Sequence, residues 1–327
     1  MITVDLCVAT FKRPALLGQL LESIARMSPV DNVSVRLIII DNDVEQTGFP
    51  AVQQFQREYS VPVLYEVEPQ RGISFARNRA ISLVTGEFFG FLDDDEWVCE
   101  GWLRSAFETI TIYDFDAVFG PVISRLPPEA PAWATKHPSF LRPRHETGKR
   151  VSIGATGNVL LRTRALGHPR ILFCNDYALT GGGDTEFFSR MCSNGKSLGW
   201  CDEAEVYEEV PLQRLRLRWV FSRAYRSGQC YCRIFILGTN FRVRAFRFSK
   251  KMMQFGGGLI LSLVVFFCSR SLSVRVMSKV FEASGELSVL LGFRKYYAEY
   301  AAESYRQQRS NMSLKESQIE WKKDRTE

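Results

Sequence analysis

Apolar residues up to position 210 fall into short runs that alternate with stretches of helical spacing. Runs of β-branched and aromatic residues predict strands, whereas the apolar residues between positions 17 and 24 recur every three or four places and predict a helix that begins at Pro14. The predicted strands are residues 2–9, 35–40, 61–65, 88–92, 117–119 and 151–161, and the further helices are residues 51–59, 73–84, 97–113 and 184–191. Strands that alternate with helices indicate an α/β fold in which helices flank a mostly parallel sheet.

The pattern changes near residue 213. Residues 213–226 place apolar side chains among arginines, as interfacial amphipathic helices do. Residues 252–268 are uncharged and mainly apolar, and a stretch of about 17 residues is the lower edge of what a spanning helix needs. This stretch is a short span, a re-entrant piece, an in-plane helix or a buried helix of an α-helical subdomain. We therefore predict a sheet-containing domain over residues 1–212 and a basic, membrane-associated helical region over residues 213–327, with frayed helix or disorder beyond residue 310.

Composition adds one asymmetry to this picture. The 327 residues are 46% hydrophobic and 24% charged, which is ordinary for a globular protein of one or two domains. Residues 210–281, however, contain 14 of the 42 basic residues and no acidic one, which leaves 28 basic and 36 acidic residues elsewhere. A basic segment on an acidic body favours contact with polyanions. No nucleic-acid recognition motif accompanies it, so we expect an anionic membrane surface as the partner and no nucleic acid.

Several common kinds of site lack support in the sequence. The eight cysteines form no C-x-x-C pair and the three histidines lack zinc-ligand spacing, so we expect reduced thiols in the cytosol. The P-loop pattern and the G-x-G-x-x-G fingerprint are both missing. The first residues show no basic region followed by an apolar one, so we expect no secretory signal.

Three polar clusters each follow a predicted strand, at residues 10–13, 41–43 and 93–95. Because the carboxyl ends of parallel strands lie at one edge of a sheet, we expect these clusters to meet. The third cluster consists of three aspartates, which repel one another unless a cation lies beside them. In extended backbone Asp93 and Asp95 point the same way, which suits a divalent cation with oxygen ligands. The alternative is a solvated acidic turn or a helix N-cap.

The chemistry of a nucleoside diphosphate fits these clusters. A carboxylate at a strand tip, such as Asp41, can accept hydrogen bonds from a base or a ribose. Arg77 can hold a phosphate in a bidentate manner, unless it is simply an arginine on a helix surface. If a diphosphate leaves a sugar carbon, the attacking hydroxyl needs a general base, for which Asp184 and Glu186 are candidates. Three glycines precede Asp184 and permit a mobile loop, although this aspartate could instead be an N-cap.

Six motifs, taken in order over residues 2–210, resemble the family 2 inverting glycosyltransferases of GT-A fold. They are VATFKRP at 8–14, IIDN at 39–42, GISFARN at 72–78, FLDDD at 91–95, GN at 157–158 and GDTEF at 183–187. The resemblance implies that Thr10, Phe11 and Asp41 contact the nucleotide. It also implies that residues 93–95 form a "DxD" element for the ribose, the pyrophosphate and Mg²⁺ or Mn²⁺, and that Asp184 is the catalytic base.

The residues and the resemblance together define a predicted site. Asp184 is its catalytic base, Asp93 and Asp95 are its metal ligands, and Asn158 and Glu186 lie on the acceptor side. The residues predicted to bind the nucleotide-sugar are Thr10, Phe11, Arg13, Asp41, Arg77, Asp93 and Asp94.

Two positions depart from the family pattern. Asp43 stands in an Asp-Asn-Asp sequence where Asp-Asp-Gly-Ser is commoner, and Leu215 stands where a Gln-x-x-Arg-Trp motif has its first polar residue. The second departure argues for one sugar per acceptor and against a processive synthase.

The overall layout resembles bacterial glucosyltransferases that build exopolysaccharide repeat units of succinoglycan type on a lipid carrier. This resemblance implies a nucleotide-sugar donor such as UDP-glucose, a lipid-linked saccharide acceptor and a location at the cytoplasmic face of the cell membrane. The alternatives are a non-catalytic membrane-associated protein that binds nucleotide-sugars, and a nucleotidyltransferase, which would release pyrophosphate.

Overall fold

The computed structural model describes residues 1–293 and Tyr296. Within these residues the strands and α-helices are β1 (Ile2–Thr10), α1 (Pro14–Ala25), β2 (Val33–Asp41), α2 (Phe49–Glu58), β3 (Val63–Val67), α3 (Ile73–Leu83), β4 (Phe88–Asp93), β5 (Glu96–Val98), α4 (Trp102–Ile112), β6 (Ala117–Phe119), β7 (Val122–Arg125), β8 (Asn158–Arg162), α5 (Gly183–Ser193), β9 (Leu198–Trp200), β10 (Val206–Glu209), α6 (Leu217–Tyr231), α7 (Phe241–Phe266) and α8 (Arg270–Leu290). Short 3₁₀ segments cover Ala134–Lys136, Thr163–Leu166, Asn175–Tyr177 and Leu212–Leu215, and a π-helical turn covers Cys232–Ile236.

The main sheet has seven strands in the order β3-β2-β1-β4-β8-β6-β9. Strand β1 pairs in parallel with β2 and β4, and only β8 runs antiparallel to its neighbours. Side chains along β1 and β2 alternate between two buried faces. Val4, Leu6 and Val8 join α1, α2 and α4 in one core, whereas Cys7 and Ile38 join α3 and α5 in the other. Helices on both faces confirm the predicted α/β fold with a mostly parallel sheet.

Three predicted elements differ from the structure. Residues 97 and 98, expected to open a helix, belong to β5, and β7 lies at the start of the expected loop over residues 121–150. Both strands pair with β10 in a second, three-stranded sheet. Because β10 is distant in the sequence, local periodicity does not reveal this pairing. Strand β8, expected over residues 151–161, begins only at Asn158, which pairs with Leu92 of β4.

The segment after residue 216 is helical. Helices α6 and α7 both pack on α8, and two glycines let α6 approach α8 closely. A Cβ atom at Gly228 would lie 2.0 Å from the Glu282 carbonyl oxygen, and one at Gly285 would lie 2.0 Å from that of Tyr225. Residues 294, 295 and 297–327, including the predicted frayed end beyond residue 310, lie outside the described residues.

Helix α7 exposes much of its apolar surface. Phe246, Met253, Ile260 and Phe267 follow one another at seven-residue intervals, and their exposed fractions are 72%, 78%, 69% and 89%. Seven residues are about two helical turns, so these side chains form one stripe, which we call the α7 stripe. The interpretation of residues 252–268 as a buried core helix is therefore wrong. None of the helices in the described part of the chain has a stretch that is both long enough and apolar enough to cross a membrane.

Candidate active site

The polar ends of β1 and β4 meet directly. The Thr10 hydroxyl donates a hydrogen bond to Oδ2 of Asp94 over 2.8 Å, and Arg13 Nη1 lies 3.2 Å from both Asp94 Oδ1 and Asp95 Oδ2. The register explains the meeting, since Ala9 lies beside Asp93 in the parallel pair. The first and third polar clusters of the sequence therefore form one group at the carboxyl edge of the sheet.

A cavity of about 400 Å³ opens beside this group. Its lining residues are Arg13, Ile73, Arg77, Asp93, Asp95, Glu96, Arg142, Ala155, Gly157, Gly181, Gly182, Gly183, Asp184, Glu208, Arg214, Arg223 and Arg226. Six arginines and five carboxyl groups thus face one space. The predicted base, the predicted metal ligands and both arginines predicted to bind the nucleotide-sugar, Arg13 and Arg77, line it.

Three carboxyl groups at the aspartate triplet, those of Asp93, Asp94 and Glu96, have raised pKa values. Desolvation raises the pKa of Asp93, with further repulsion from Asp95 and Asp184, while Arg77 opposes the shift from 3.2 Å. Burial raises the pKa of Asp94 to about 7, against the attraction of Arg13. The pKa of Glu96 lies well above its usual value because this side chain is buried and faces Asp93 and Asp95. A cation in the cavity would favour the ionised carboxylates.

The residues present fit a hard divalent cation in their chemistry. Asp93, Asp95 and Glu96 offer only oxygen atoms, and Gly157 leaves room for them: a Cβ there would lie 2.6 Å from Glu96 Oε1 and 3.2 Å from Asp93 Oδ2. Among residues 1–293 and 296, no group of three His, Cys, Asp or Glu side chains is arranged to hold a metal ion by itself. Mg²⁺ commonly takes one or two carboxylates and completes its shell with water and substrate phosphates.

Asp184 lies in the first turn of α5, and its Oδ1 accepts the Thr185 N–H over 2.8 Å. The glycines before it are required by geometry. Gly181 and Gly182 have φ values of +75° and +88°, which other residues rarely adopt. Both also lie against α6, since Cβ atoms there would be 2.7 Å from Arg226 Nη1 and 2.9 Å from Cys230 Sγ. The glycines therefore serve a close contact with α6, which the sequence did not indicate.

Three predicted site residues, beginning with Asp41, have side chains that form hydrogen bonds within the protein. Asp41 is fully buried, and its oxygens accept hydrogen bonds from the N–H groups of Asp43 and Gly48 and from the Tyr65 hydroxyl. It shapes the loop after β2 and offers no free surface to a nucleotide. Its pKa is raised, chiefly by burial.

The two residues predicted on the acceptor side, Asn158 and Glu186, also have internal partners. Asn158 is buried; its Oδ1 accepts from Trp102 Nε1, and its Nδ2 donates to two backbone carbonyl oxygens. Glu186 forms a two-pronged pair with Arg190, at 2.8 and 2.9 Å, and does not line the cavity. Asn158 therefore holds the strand ends together, and Glu186 stabilises α5.

Several cavity residues were missed by sequence reasoning. Arg214 donates to Asp95 Oδ2 over 3.3 Å, and Arg142 donates to Glu208 over 2.6 Å. Arg223 and Arg226 reach the cavity from α6. The sequence shows that this segment is rich in arginine. Its periodicity does not show which side of the helix faces the edge of the sheet.

Phe11, predicted to contact the nucleotide, lies outside this cavity and beside two cations. The Arg71 guanidinium is 5.2 Å from its ring centre and Lys12 Nζ is 5.7 Å from it. An aromatic ring flanked by cations suits a flat, anionic ligand such as a nucleotide. Arg71 was not among the predicted residues.

Comparison with known proteins points to one family. Residues 5–168 match the family described as glycosyl transferase family 2. Over 234 residues the chain is 36% identical to the succinoglycan biosynthesis protein ExoM of Rhizobium meliloti (strain 1021), covering 71% of this chain and 74% of that protein. It is also 28% identical over 107 residues to the putative glycosyltransferase EpsH of Bacillus subtilis (strain 168), covering 32% and 30% of the two chains.

Solved structures share the fold at low sequence identity. The mannosyltransferase PcManGT from Pyrobaculum calidifontis, in complex with GDP-Man and Mn²⁺, gives a TM-score of 0.54 at 15% identity, covering 95% of this chain and 80% of that one. The 1–349 portion of S. aureus TarS gives 0.51 at 15% identity, covering 90% and 93%. The predicted GT-A-like fold is thus confirmed.

Proposed function

The chain belongs to glycosyl transferase family 2, and from this premise we propose that it moves a hexose from a nucleotide-sugar, such as UDP-glucose, to a hydroxyl group of a lipid-linked saccharide. The 36% identity to a succinoglycan biosynthesis protein supports a role in bacterial surface polysaccharide synthesis. The observation that carries the proposal is that Asp184 lines the same cavity as Asp93 and Asp95. A base and a diphosphate-binding group thereby face one space.

In the proposed reaction the carboxylate of Asp184 takes the proton of the acceptor hydroxyl. The hydroxyl oxygen attacks the anomeric carbon of the donor, and the bond to the nucleoside diphosphate breaks with inversion. Arg13 and Arg77 lie where they can hold the departing phosphates. Asp93 and Asp95 would hold Mg²⁺ or Mn²⁺, which when bound neutralises charge on the diphosphate.

The nucleoside is assigned to the edge of the cavity formed by the loop after β1. Thr10 and Arg13 are fixed there by Asp94, and Phe11 presents its ring beside Arg71. Asp41 holds the loop after β2 through the backbone N–H of Gly48 and is not assigned a direct contact.

We place the enzyme at the cytoplasmic face of the membrane, held there by the α7 stripe. The stripe exposes large apolar side chains, and exposed basic residues, Arg242, Arg244 and Lys250, lie on the same helix. Apolar side chains that enter the acyl boundary beside basic ones are typical of in-plane amphipathic helices. Such a location brings the cavity to an acceptor that lies in the membrane.

A panel of nucleotide-sugars, with added Mg²⁺ or Mn²⁺ and a lipid-linked saccharide extract, tests the proposal. We expect release of a nucleoside diphosphate and a product whose anomeric configuration, measured by NMR, is opposite to that of the donor. A nucleotidyltransferase would instead release pyrophosphate in a parallel assay that supplies a nucleoside triphosphate and a sugar 1-phosphate. Donor binding with neither transfer nor hydrolysis would indicate a non-catalytic protein.

A further inference from the structure

The segment that leads to the proposed base, residues 174–182, lies between two helices, and we call it the base loop. On one side it contacts α3. There the Ile73 N–H donates to the Ala178 carbonyl oxygen over 3.1 Å, and the Ser74 hydroxyl donates to the carbonyl oxygen of the first residue of the loop over 3.1 Å. On the other side lies α6. Because the base loop runs directly into α5, its path determines where Asp184 enters the cavity.

One face of α6 and of the π-helical turn after it contacts the base loop. Arg226, Cys230 and Arg233 are four and three residues apart, so they lie on the same side of the helix. Arg226 Nη1 is 2.7 Å from the position of a Cβ at Gly181, and Cys230 Sγ donates to the Gly181 carbonyl oxygen over 3.3 Å. A different face of α6, which includes Gly228, packs against α8. Helix α6 is therefore held between α8 and the base loop.

Arg233 joins three residues of the base loop. Its Nη1 donates to the Thr180 hydroxyl oxygen over 2.9 Å, and its Nη2 donates to the Asp176 carbonyl oxygen over 3.1 Å. The guanidinium carbon also lies 4.3 Å from the centre of the Tyr177 ring, which is a cation–π contact. The Thr180 hydroxyl in turn donates to the Gly181 carbonyl oxygen over 3.3 Å. The planar fork of one arginine thus links the middle of the base loop to its end.

The end of the base loop needs such contacts because it is rich in glycine. Residues 181–183 are all glycine, and Gly181 and Gly182 have positive φ values. Glycine adopts positive and negative φ about equally readily, so the three residues have many alternative paths. The hydrogen bonds from Arg233 and Cys230 favour one path. A displaced base is costly, since an error of about 1 Å in position can slow a reaction by roughly 10²-fold.

We propose that Arg233 is a positioning residue for sugar transfer: it fixes the base loop so that Asp184 meets the acceptor hydroxyl. Arg233 is not among the residues that line the cavity, so it acts through the loop. The inference rests on the proposed function, in which Asp184 is the base. It also gives the helices after residue 216 a second role besides membrane contact, because they supply one side of the support for the loop.

Steady-state kinetics of Arg233→Gln in the full chain test the proposal. We expect kcat for sugar transfer to fall roughly tenfold or more, because the base is less well placed. The KM of the nucleotide-sugar and the Kd of UDP should change by less than about twofold, since Arg13 and Arg77 are not altered. Thr180→Val removes the acceptor of one hydrogen bond and should lower kcat in the same direction.

Arg218→Gln is the matched control. It removes the same charge from the same helix, but Arg218 is exposed and lines a largely apolar groove on another side of α6. Its kcat should equal that of the wild-type protein. Arg233→Lys can still donate to Thr180 without the planar fork, so it should recover part of the lost kcat. Thermal melting of each variant shows whether it is folded.

A double variant separates a positioning role from a general structural one. If Arg233 acts through Asp184, its replacement should not slow transfer further once the base is gone. Single-turnover transfer by Asp184→Asn combined with Arg233→Gln should therefore be as fast as transfer by Asp184→Asn alone. Additive losses would overturn the inference. An unchanged kcat for Arg233→Gln, or a loss confined to the KM of the donor, would overturn it as well.

Hydrogen exchange of the base loop is a readout that does not require turnover. The Gly181 N–H donates to the Tyr177 carbonyl oxygen over 3.2 Å, so its exchange rate reports on opening of the loop. With UDP bound, Arg233→Gln should speed this exchange roughly tenfold or more, the effect of losing a charge-assisted hydrogen bond, whereas Arg218→Gln should not. Unchanged exchange would contradict the role of Arg233 in holding the loop. Faster exchange in a chain that transfers no sugar would support that role and would reject only the proposed reaction.

Discussion

Thr10 and Asp94, which are 84 positions apart in the sequence, share a buried hydrogen bond of 2.8 Å between their side-chain oxygens. The bond fixes the middle carboxylate of the triplet against β1. Asp94 and Asp95 form the turn between β4 and β5, and Asp93 and Asp95, on either side of the anchored residue, line the cavity. One residue of the triplet thus anchors it, and the other two face the substrate space.

The anchoring carboxylate predicts a dependence of stability on pH. Its folded-state pKa of about 7 lies above the unfolded value of 3.8, so the native state retains the proton more strongly and loses stability as pH rises from about 4 to 7. Asp94→Asn should reduce the dependence of the unfolding free energy on pH. The change in that free energy across this window should be smaller in the variant by on the order of a few kcal/mol. Urea denaturation at several pH values measures the slope. The exposed Asp31→Asn is the control, and an unchanged slope for Asp94→Asn would contradict the prediction.

The proposed base can be tested against its neighbour on α5. Asp184→Asn should reduce sugar transfer by roughly 10²–10⁴-fold, since the acceptor hydroxyl loses its proton acceptor, while donor binding is retained. Glu186→Gln should keep most of the activity because that side chain pairs with Arg190 outside the cavity. Turnover assays with separate donor titrations distinguish the two variants. If both lose transfer equally, the assignment of Asp184 alone is wrong.

We expect the predicted metal ligands to contribute to donor binding, not to the action of the proposed base. Asp95→Ala should weaken metal-dependent binding of UDP by roughly tenfold or more. The loss also removes a carboxylate that both Arg13 and Arg214 contact, so some metal-independent binding of UDP should be gained. Titration of UDP with Mn²⁺ and with EDTA separates the two effects. Identical affinity in EDTA and Mn²⁺ for the wild-type protein would remove the metal from the proposal.

The sequence predicted much of the sheet and part of the site because both follow local rules. Strand ends carry polar residues, and parallel strands bring those ends together. What local rules do not reveal is how each polar side chain is used. Asp41 accepts hydrogen bonds from Gly48 and Tyr65, which lie outside its own strand. Strand β5 is formed by pairing with β10, which is distant in the sequence. The direction of Arg223 likewise depends on where α6 rests on the sheet domain.

The α7 stripe predicts binding to anionic lipid vesicles. Met253→Asp combined with Ile260→Asp should reduce co-sedimentation with such vesicles by roughly tenfold or more, because two apolar anchors are lost and two negative charges are gained. Both positions are exposed, so the thermal stability of the variant should stay close to that of the wild-type protein. Ile112→Asp on α4, whose side chain is 74% exposed, is the control for an added surface charge. Unchanged vesicle binding by the double variant would contradict the assignment of the α7 stripe as the membrane contact.

Two glycines in the C-terminal helices should respond to alanine in opposite directions. A Cβ at Gly285 would lie 2.0 Å from the Tyr225 carbonyl oxygen, so Gly285→Ala must separate α6 from α8 and should cost on the order of 2–4 kcal/mol of unfolding free energy. Gly256 lies within α7 with no heavy atom within 4 Å of such a Cβ, so Gly256→Ala should stabilise the helix by about 0.5–1 kcal/mol. Because α6 carries Arg223 and Arg226 to the cavity, only Gly285→Ala should also reduce transfer activity. Equal melting temperatures for the two variants would show that the close contact between α6 and α8 does not contribute to stability.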